Sequence, residues 1–304
     1  VDPSIFFEQL INGLTIGGVY ALVALGYTLV YGILTMINFA HGEVLMLGAF
    51  SGYWTLSLLE EKGILWNWPF SSAALAFLMA ILVCSMVGAC LERFAYRPLR
   101  SAPRLAPLIS AIGASIFLQN LIMVLVKGRM RVYPDIVPLS GFHLGGVFVG
   151  YFQLLLLGVS IGLMVALTFV IKKTKVGIAM RAVAEDKKAS YLMGINVDGI
   201  IQFTFIVGSA LAAVAGVLVG MYYSQINHMM GFIPGIKAFT AAVVGGIGNI
   251  TGAMLGGFVL GLLESFSVNI LPAQYKDVVA FAILVMVLVF RPKGILGEVV
   301  SEKV

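Results

Sequence analysis

Side chains able to do chemistry are few in this sequence, and each group lies beside or within a long apolar run. The first group is Asn38, His41 and Glu43, in the stretch Asn38-Phe39-Ala40-His41-Gly42-Glu43 that follows the first such run. The second is Asn249 and Thr251, with Glu264 further along, and the third is the amide pair Gln119 and Asn120. Amide, imidazole and carboxyl groups in such surroundings suit the passage of a polar solute. An ionisable group within a membrane segment is costly to keep and by default marks a site or a pathway. Two readings stay open for His41 and Glu43. They line a pathway, or they sit at an interface with Glu43 near the positive N-terminus of the next helix. Exposed helix ends around Asn249 and Thr251 would suit a polar solute in the same way. For Gln119 and Asn120 the plainer reading is the bridging of neighbouring helices.

Bond-breaking chemistry has little support. An enzyme needs a nucleophile with a base in reach, or a metal cluster. The three histidines, His41, His143 and His228, lie in separate segments. Cys84 and Cys90 share one apolar run but point to different helical faces, as buried thiols rather than a disulfide or a metal site. No G-x-x-x-x-G-K-[ST] sequence is present to cradle ATP phosphates. No catalytic residue, cofactor or metal ligand is therefore expected on this chain.

The elements that must position these residues follow from composition. Hydrophobic residues make up 60% of the 304 positions, charged residues 11%, and the mean hydropathy is +1.03. A soluble domain needs about 25% charged residues to cover its surface, so much of this exterior faces a lipid bilayer. Backbone groups in lipid must bond internally, which leaves helices or closed barrels. The apolar runs lack the period-2 alternation of barrel strands. The expectation is an all-α polytopic transmembrane helix bundle of about eight spans with broken or re-entrant helices, forming one membrane domain over residues 1–304. The net charge of +5 does not imply nucleic-acid binding, because the basic residues gather in short segments between apolar runs.

Those basic segments orient the chain. Arg93, Arg97, Arg100 and Arg104 mark one cytoplasmic loop, and Lys172–Asp198, with six basic residues, marks another. Arg291 and Lys293 place the C-terminus in the cytoplasm, and the count back puts the N-terminus outside. By the same count both ends of the glycine-rich segment Ala238–Phe266 lie outside. A straight span cannot achieve that, so a break is expected within Gly245–Gly252, between two short helices. Small residues recur every fourth position at Gly13, Gly17 and Ala21, at Gly208, Ala212, Gly216 and Gly220, at Gly252 and Gly256, and at Gly257 and Gly261. Such stripes let helix backbones approach closely.

Lys172–Asp198 reads as a short amphipathic helix closed by Gly194. Val176, Met180 and Val183 fall on one face, and Arg181, Glu185 and Lys188 on the other, with Arg181 and Glu185 spaced to pair. Such a helix lies on lipid or docks into a groove on a partner.

Several motifs then carry a resemblance. Ala184-Glu185-Asp186-Lys187-Lys188-Ala189 through Leu192-Met193-Gly194-Ile195-Asn196 resembles the coupling loop of permeases from branched-chain amino acid ABC importers. Ile37–Glu43 is similar to that family's N-terminal signature. Leu108–Gly113, Ile116–Asn120, Lys237–Val243, Gly245–Gly248, Tyr275–Val279 and Gly294–Gly297 are similar to further motifs of the family. The resemblance runs through the whole chain except Lys127–Gly146 and is closest to the LivH-type permease. It implies a prokaryotic cytoplasmic (inner) membrane, a second, related permease of the LivM type, two ATP-hydrolysing subunits inside and a solute-binding protein outside. It also implies that Arg181, Glu185, Asp186, Lys188 and Gly194 transmit ATPase closure to the helices. The implied cargo is leucine, isoleucine or valine. Urea and short-amide permeases share much of this signature and remain the alternative. A stand-alone secondary transporter would need several intramembrane ion or proton sites, and apart from Glu43 and Glu264 the spans offer few.

Overall fold

A computed structural model describes residues 3–103, 105–136, 140–144 and 146–297. Arg104, read above as part of a cytoplasmic loop, lies outside the described residues. Eleven α-helices account for most of the described chain: α1 (Pro3–Leu34), α2 (His41–Glu61), α3 (Pro69–Cys90), α4 (Leu105–Val126), α5 (Tyr151–Lys173), α6 (Lys175–Glu185), α7 (Lys187–Leu192), α8 (Val197–Tyr223), α9 (Phe232–Gly245), α10 (Ile250–Ser267) and α11 (Lys276–Phe290). Six helical stretches are long and apolar enough to cross a membrane: Ser4–Leu34, Pro69–Leu99, Leu105–Val126, Tyr151–Lys173, Val197–Tyr223 and Ile250–Ser267. The all-α polytopic reading therefore stands at the level of a helix bundle. The second stretch outlasts α3 because the chain continues through a π-helical turn, Leu91–Tyr96, and a 3-10 turn, Arg97–Leu99.

The helical reading omitted four short strands. β1 (Arg131–Val132) pairs with β4 (Gln225–Ile226), and β2 (Gly141–Leu144) pairs with β3 (Val147–Gly150), both antiparallel. Three of them lie in Lys127–Gly150, where no apolar run is long enough for a helix and paired strands satisfy the backbone instead.

The chain divides into two compact units. One comprises Val1–Thr28, Leu139–Val165 and Lys237–Val304; the other comprises Leu29–Pro138 and Ala166–Ile236. In the first unit the small-residue stripes of α1 and α10 meet each other. A side chain added at Gly257 would place its Cβ 2.4 Å from Ala21 Cα, and one at Gly261 would lie 2.4 Å from Gly17 Cα. The other face of α10 meets α9, where a Cβ at Gly256 would lie 2.0 Å from the Ala241 carbonyl and one at Gly245 1.9 Å from that of Gly252. The pairing of 245 with 252 and of 241 with 256 makes α9 and α10 an antiparallel hairpin. The expected break is the turn at its tip, where Gly246 and Gly248 adopt φ of +108° and +95°. Only glycine takes such angles without strain.

The second unit is built around α2 and α8. A Cβ at Gly216 would lie 2.1 Å from the Leu45 carbonyl, and one at Gly48 would lie 2.6 Å from Ala213 Cα. Glycine thus lets the two backbones touch. Every residue of α2 from His41 to Gly52 is buried. A helix buried all round for three turns is surrounded by protein rather than lipid. By contrast, α4 exposes Ile109, Ile116, Phe117 and Val124 by 54–70%, as a helix with a lipid- or partner-facing side does.

The loop read as one amphipathic helix is two. Asp186 is extended, with φ −153° and ψ 111°, and its carboxylate accepts from the Lys188 and Ala189 backbone N–H groups. That cap starts α7 and interrupts α6, because an Asx side chain competes for backbone donors. The buried face of α6 is also shifted by one position. Gly177, Met180 and Val183 are buried, whereas Val176 is 38% exposed.

Candidate functional site

The residues singled out by the sequence fall into three places. Asn38, His41 and Glu43, with Gln119 and Asn120, belong to the second unit; Asn249, Thr251 and Glu264 belong to the first; the Lys172–Asp198 loop forms α6 and α7.

The start of α2 is the most constrained of these. Asn38, His41 and Glu43 are 2%, 1% and 1% exposed. Asn38 Oδ1 accepts from the Ala40 backbone N–H at 3.1 Å and from Tyr96 Oη at 2.9 Å. Tyr96 comes from the π-helical turn and packs on Phe205 of α8 with ring centroids 5.1 Å apart. Single-turn π segments inside helices recur at functional sites, and this one aims the Tyr96 phenol at the loop that opens α2.

Two bonds fix the level at which α2 begins. The Val44 carbonyl accepts from Cys84 Sγ at 3.4 Å, and Cys84 lies in the second half of α3. Glu43 Oε1 accepts from Ser115 Oγ at 3.4 Å, and Ser115 is the middle of α4. In a hydrocarbon layer roughly 30 Å thick, the middle of α4 is roughly 15 Å from either surface. The N-terminus of α2, with its positive helix end, therefore lies level with the middle of α4. Gly42 and Gly231 meet there by backbone: a Cβ at Gly42 would lie 2.5 Å from the Gly231 carbonyl. Glu43 Oε2 has no hydrogen-bond partner among the described residues. Gln119 lies half-buried on α4, and Asn120 is exposed and donates to the Ile116 carbonyl at 2.8 Å, within its own helix.

In the first unit Glu264 is buried, but it is fully compensated. Lys237 Nζ stands 2.8 Å from its Oε1, and Tyr20 Oη donates to its Oε2 at 2.8 Å. Asp277 Oδ1 is 2.6 Å from the same Lys237 ammonium, Lys276 stands 4.0 Å from Glu264, and Lys237 lies 5.7 Å from the Tyr20 ring centroid. Two cations thus face two carboxylates, tying α1, α9, α10 and α11 together. The sequence reading named Glu264 and missed its partners. The signal was present, since Lys237 and Glu264 are the only charged residues between 199 and 275. Two isolated, opposite charges in apolar surroundings find each other.

Asn249 and Thr251 sit at the hairpin tip rather than in that cluster. Asn249 Oδ1 caps α10 by accepting from Gly252 N at 3.0 Å, and its Nδ2 donates to the Leu296 carbonyl at 2.9 Å. Ile295 N and Leu296 N donate to the Val244 and Gly245 carbonyls at 2.8 and 3.0 Å. The open helix ends are thus satisfied by the chain's own tail. Thr251 is exposed.

At α6 and α7, Arg181 donates to the Ile171 carbonyl at 2.6 Å, anchoring α6 to the end of α5. Arg181, Glu185, Asp186, Lys188 and Gly194 are exposed, and Gly194 turns the chain at φ +82°. Tyr191, Leu192 and Met193 are 73%, 83% and 82% exposed, an apolar knob beside charge. Just beyond it, Asp198 in the first turn of α8 is held by Arg97 and by Arg100 at 2.6 Å, and Arg100 also binds Glu92 of the π turn. Burial, with the nearby Arg100 charge second, holds the Lys187 ammonium below its usual range. A chain of ion pairs therefore runs from the start of α8 through Arg100 to the π turn that carries Tyr96. Nothing in this arrangement offers a nucleophile with its base, and among the described residues no cluster of metal-ligating side chains occurs.

A bundle with a buried half-length helix start and an exposed, capped helix pair suits a transport subunit. Residues 9–288 match the family described as branched-chain amino acid transport system / permease component. The chain belongs to that family. It is 51% identical over 304 residues to the high-affinity branched-chain amino acid transport system permease protein BraD of Pseudomonas aeruginosa, covering 98% of each chain. It is 47% identical over 305 residues to the corresponding LivH proteins of Salmonella typhimurium and of Escherichia coli K12, again with 98% of each chain covered.

Proposed function

We propose that this chain is a membrane-spanning permease subunit of an ATP-binding-cassette importer that moves leucine, isoleucine and valine into a prokaryotic cell across the inner membrane. The observation that carries this is near-full-length identity of 47–51% to permease proteins of branched-chain amino acid systems. The chain acts as a single permease domain of about eight crossings, with the N-terminus outside and the C-terminus in the cytoplasm. Its cargo arrives from an extracytoplasmic solute-binding protein, and a second, related permease of the LivM type completes the path. Two ATPase subunits hydrolyse ATP and dock on Lys172–Asp198. The exposed Arg181, Glu185 and Lys188 and the knob Tyr191–Met193 support that docking, because a partner groove takes an apolar anchor ringed by charge.

The test is purification of the tagged chain in mild detergent, followed by leucine uptake in vesicles reconstituted with whatever copurifies. Two ATPase subunits and a second permease should accompany it, and uptake should need ATP. Charge reversal at Glu185, which is exposed, should leave the complex assembled but lower leucine moved per ATP by 10-fold or more. Recovery of the chain alone, with uptake driven by a gradient, would overturn the reading.

A further inference from the structure

Among the described residues Glu43 has no ion-pair partner. It is 1% exposed, its Oε1 holds only the long Ser115 bond, and its Oε2 has no partner among the described residues. No Lys or Arg nitrogen lies within 4.0 Å of it among those residues. A carboxylate withdrawn from water without a partner is costly to keep. The positive end of α2 offsets only part of that cost. The unsatisfied oxygen is aimed at Gly231, where a Cβ would lie 2.8 Å from it. Gly42 and Gly231 approach each other by backbone there, a Cβ at Gly42 meeting the Gly231 carbonyl and Gly235 Cα. The group stands level with the middle of α4, through its bond to Ser115.

From this geometry we infer that Glu43 binds the α-ammonium group of the amino-acid cargo as it passes mid-depth, the cargo supplying the positive charge that the protein withholds. A zwitterion carries that charge wherever it goes, so the site is complementary to an amino acid and indifferent to which apolar side chain follows. A fixed lysine here would compete with the cargo. Urea and short amides carry no cation and would leave Glu43 as it is. The inference rests on the amino-acid reading proposed above.

The complete reconstituted importer gives the test. Glu43→Gln keeps shape and removes the charge; leucine delivered per ATP hydrolysed should fall at least 10-fold, while stimulation of ATPase activity by loaded binding protein stays within 2-fold. Glu43→Asp should keep a measurable share of transport. Should Glu43→Gln fail to assemble, the wild-type complex answers instead: dicyclohexylcarbodiimide labels buried carboxyls, and labelling of Glu43, read by mass spectrometry, should drop severalfold when leucine-loaded rather than empty binding protein is added at the same nucleotide state. Wild-type transport by Glu43→Gln, or labelling that ignores leucine, would overturn the inference and leave Glu43 as a carboxylic acid held neutral. A wild-type complex that hydrolyses ATP but moves urea or an amide instead of leucine would sink the cargo reading itself, a separate failure.

Discussion

Glu264 and Glu43 are both buried carboxylates in apolar helices, one in each compact unit, and their surroundings are opposite. Glu264 has a lysine at 2.8 Å on one oxygen and a tyrosine hydroxyl at 2.8 Å on the other, with two more charges close by. Glu43 has one hydroxyl at 3.4 Å and a vacant oxygen. A saturated ion pair has nothing left to offer a ligand, and its work is to hold elements together. A half-satisfied one is expensive in the resting protein and persists where something else completes it. Both residues look alike in the sequence, as single acids in apolar runs. The difference lies entirely in what the fold brings to them.

The largest effect that would test this contrast is removal of Lys237. Lys237→Ala leaves Glu264 and Asp277 without their main cation, and breaking a buried pair from one side costs about 3–5 kcal/mol. The variant should melt well below the wild type in detergent and accumulate poorly in the membrane. Lys237→Met combined with Glu264→Gln should recover most of the loss. Normal accumulation and melting of the single variant would mean that the pair is not structural.

Glu43→Gln should act with the opposite sign on the same measurement. Neutralising a carboxylate that lacks a partner removes a burial cost, so melting should be unchanged or higher while transport falls. A melting point lowered as far as that of Lys237→Ala would erase the distinction between the two glutamates.

The polar frame beside Glu43 is expected to be softer. Tyr96→Phe removes the 2.9 Å bond to Asn38 and costs about 1 kcal/mol, near the net worth of one hydrogen bond. Its stronger signature should be mechanical, since Tyr96 sits on the turn whose Glu92 is tied through Arg100 to Asp198. Leucine moved per ATP should fall severalfold with little change in melting. An unchanged ratio would show that α2 is positioned without this link.

How much of this was legible beforehand depends on the kind of interaction. Apolar runs, the hairpin break at Gly246–Asn249 and the small-residue stripes were readable, because they are local patterns that any membrane-spanning fold must respect. The interruption of α6 at Asp186 was also local, yet the segment reads as one amphipathic helix closed by Gly194 when the Asp186 cap is passed over. Long-range pairings other than that of the isolated charges Lys237 and Glu264 were not readable. Tyr20 with Glu264 spans 244 positions and Tyr96 with Asn38 spans 58, and no local spacing encodes either. Asn249 was read as an open helix end for a polar solute because its partner, the Leu296 carbonyl, lies 47 positions away.

That last residue gives the smallest expected effect and extends the contrast from carboxylates to helix ends. The start of α2 lies amid buried polar groups with an oxygen left over, whereas the start of α10 is closed by Asn249 and the tail. Asn249→Ala removes the cap on Gly252 N and the bond to Leu296. Loss of an Asn cap costs about 1 kcal/mol, and the tail keeps its two backbone bonds to Val244 and Gly245. The variant should therefore melt slightly lower, with transport per ATP unchanged. The sharper reading comes from a cysteine at exposed position 251, which labels at one rate in all nucleotide states if the tip is only a joint. A labelling rate that follows the nucleotide would place the tip in the moving path, and the carboxylate at the start of α2 would then share its role with a second helix end.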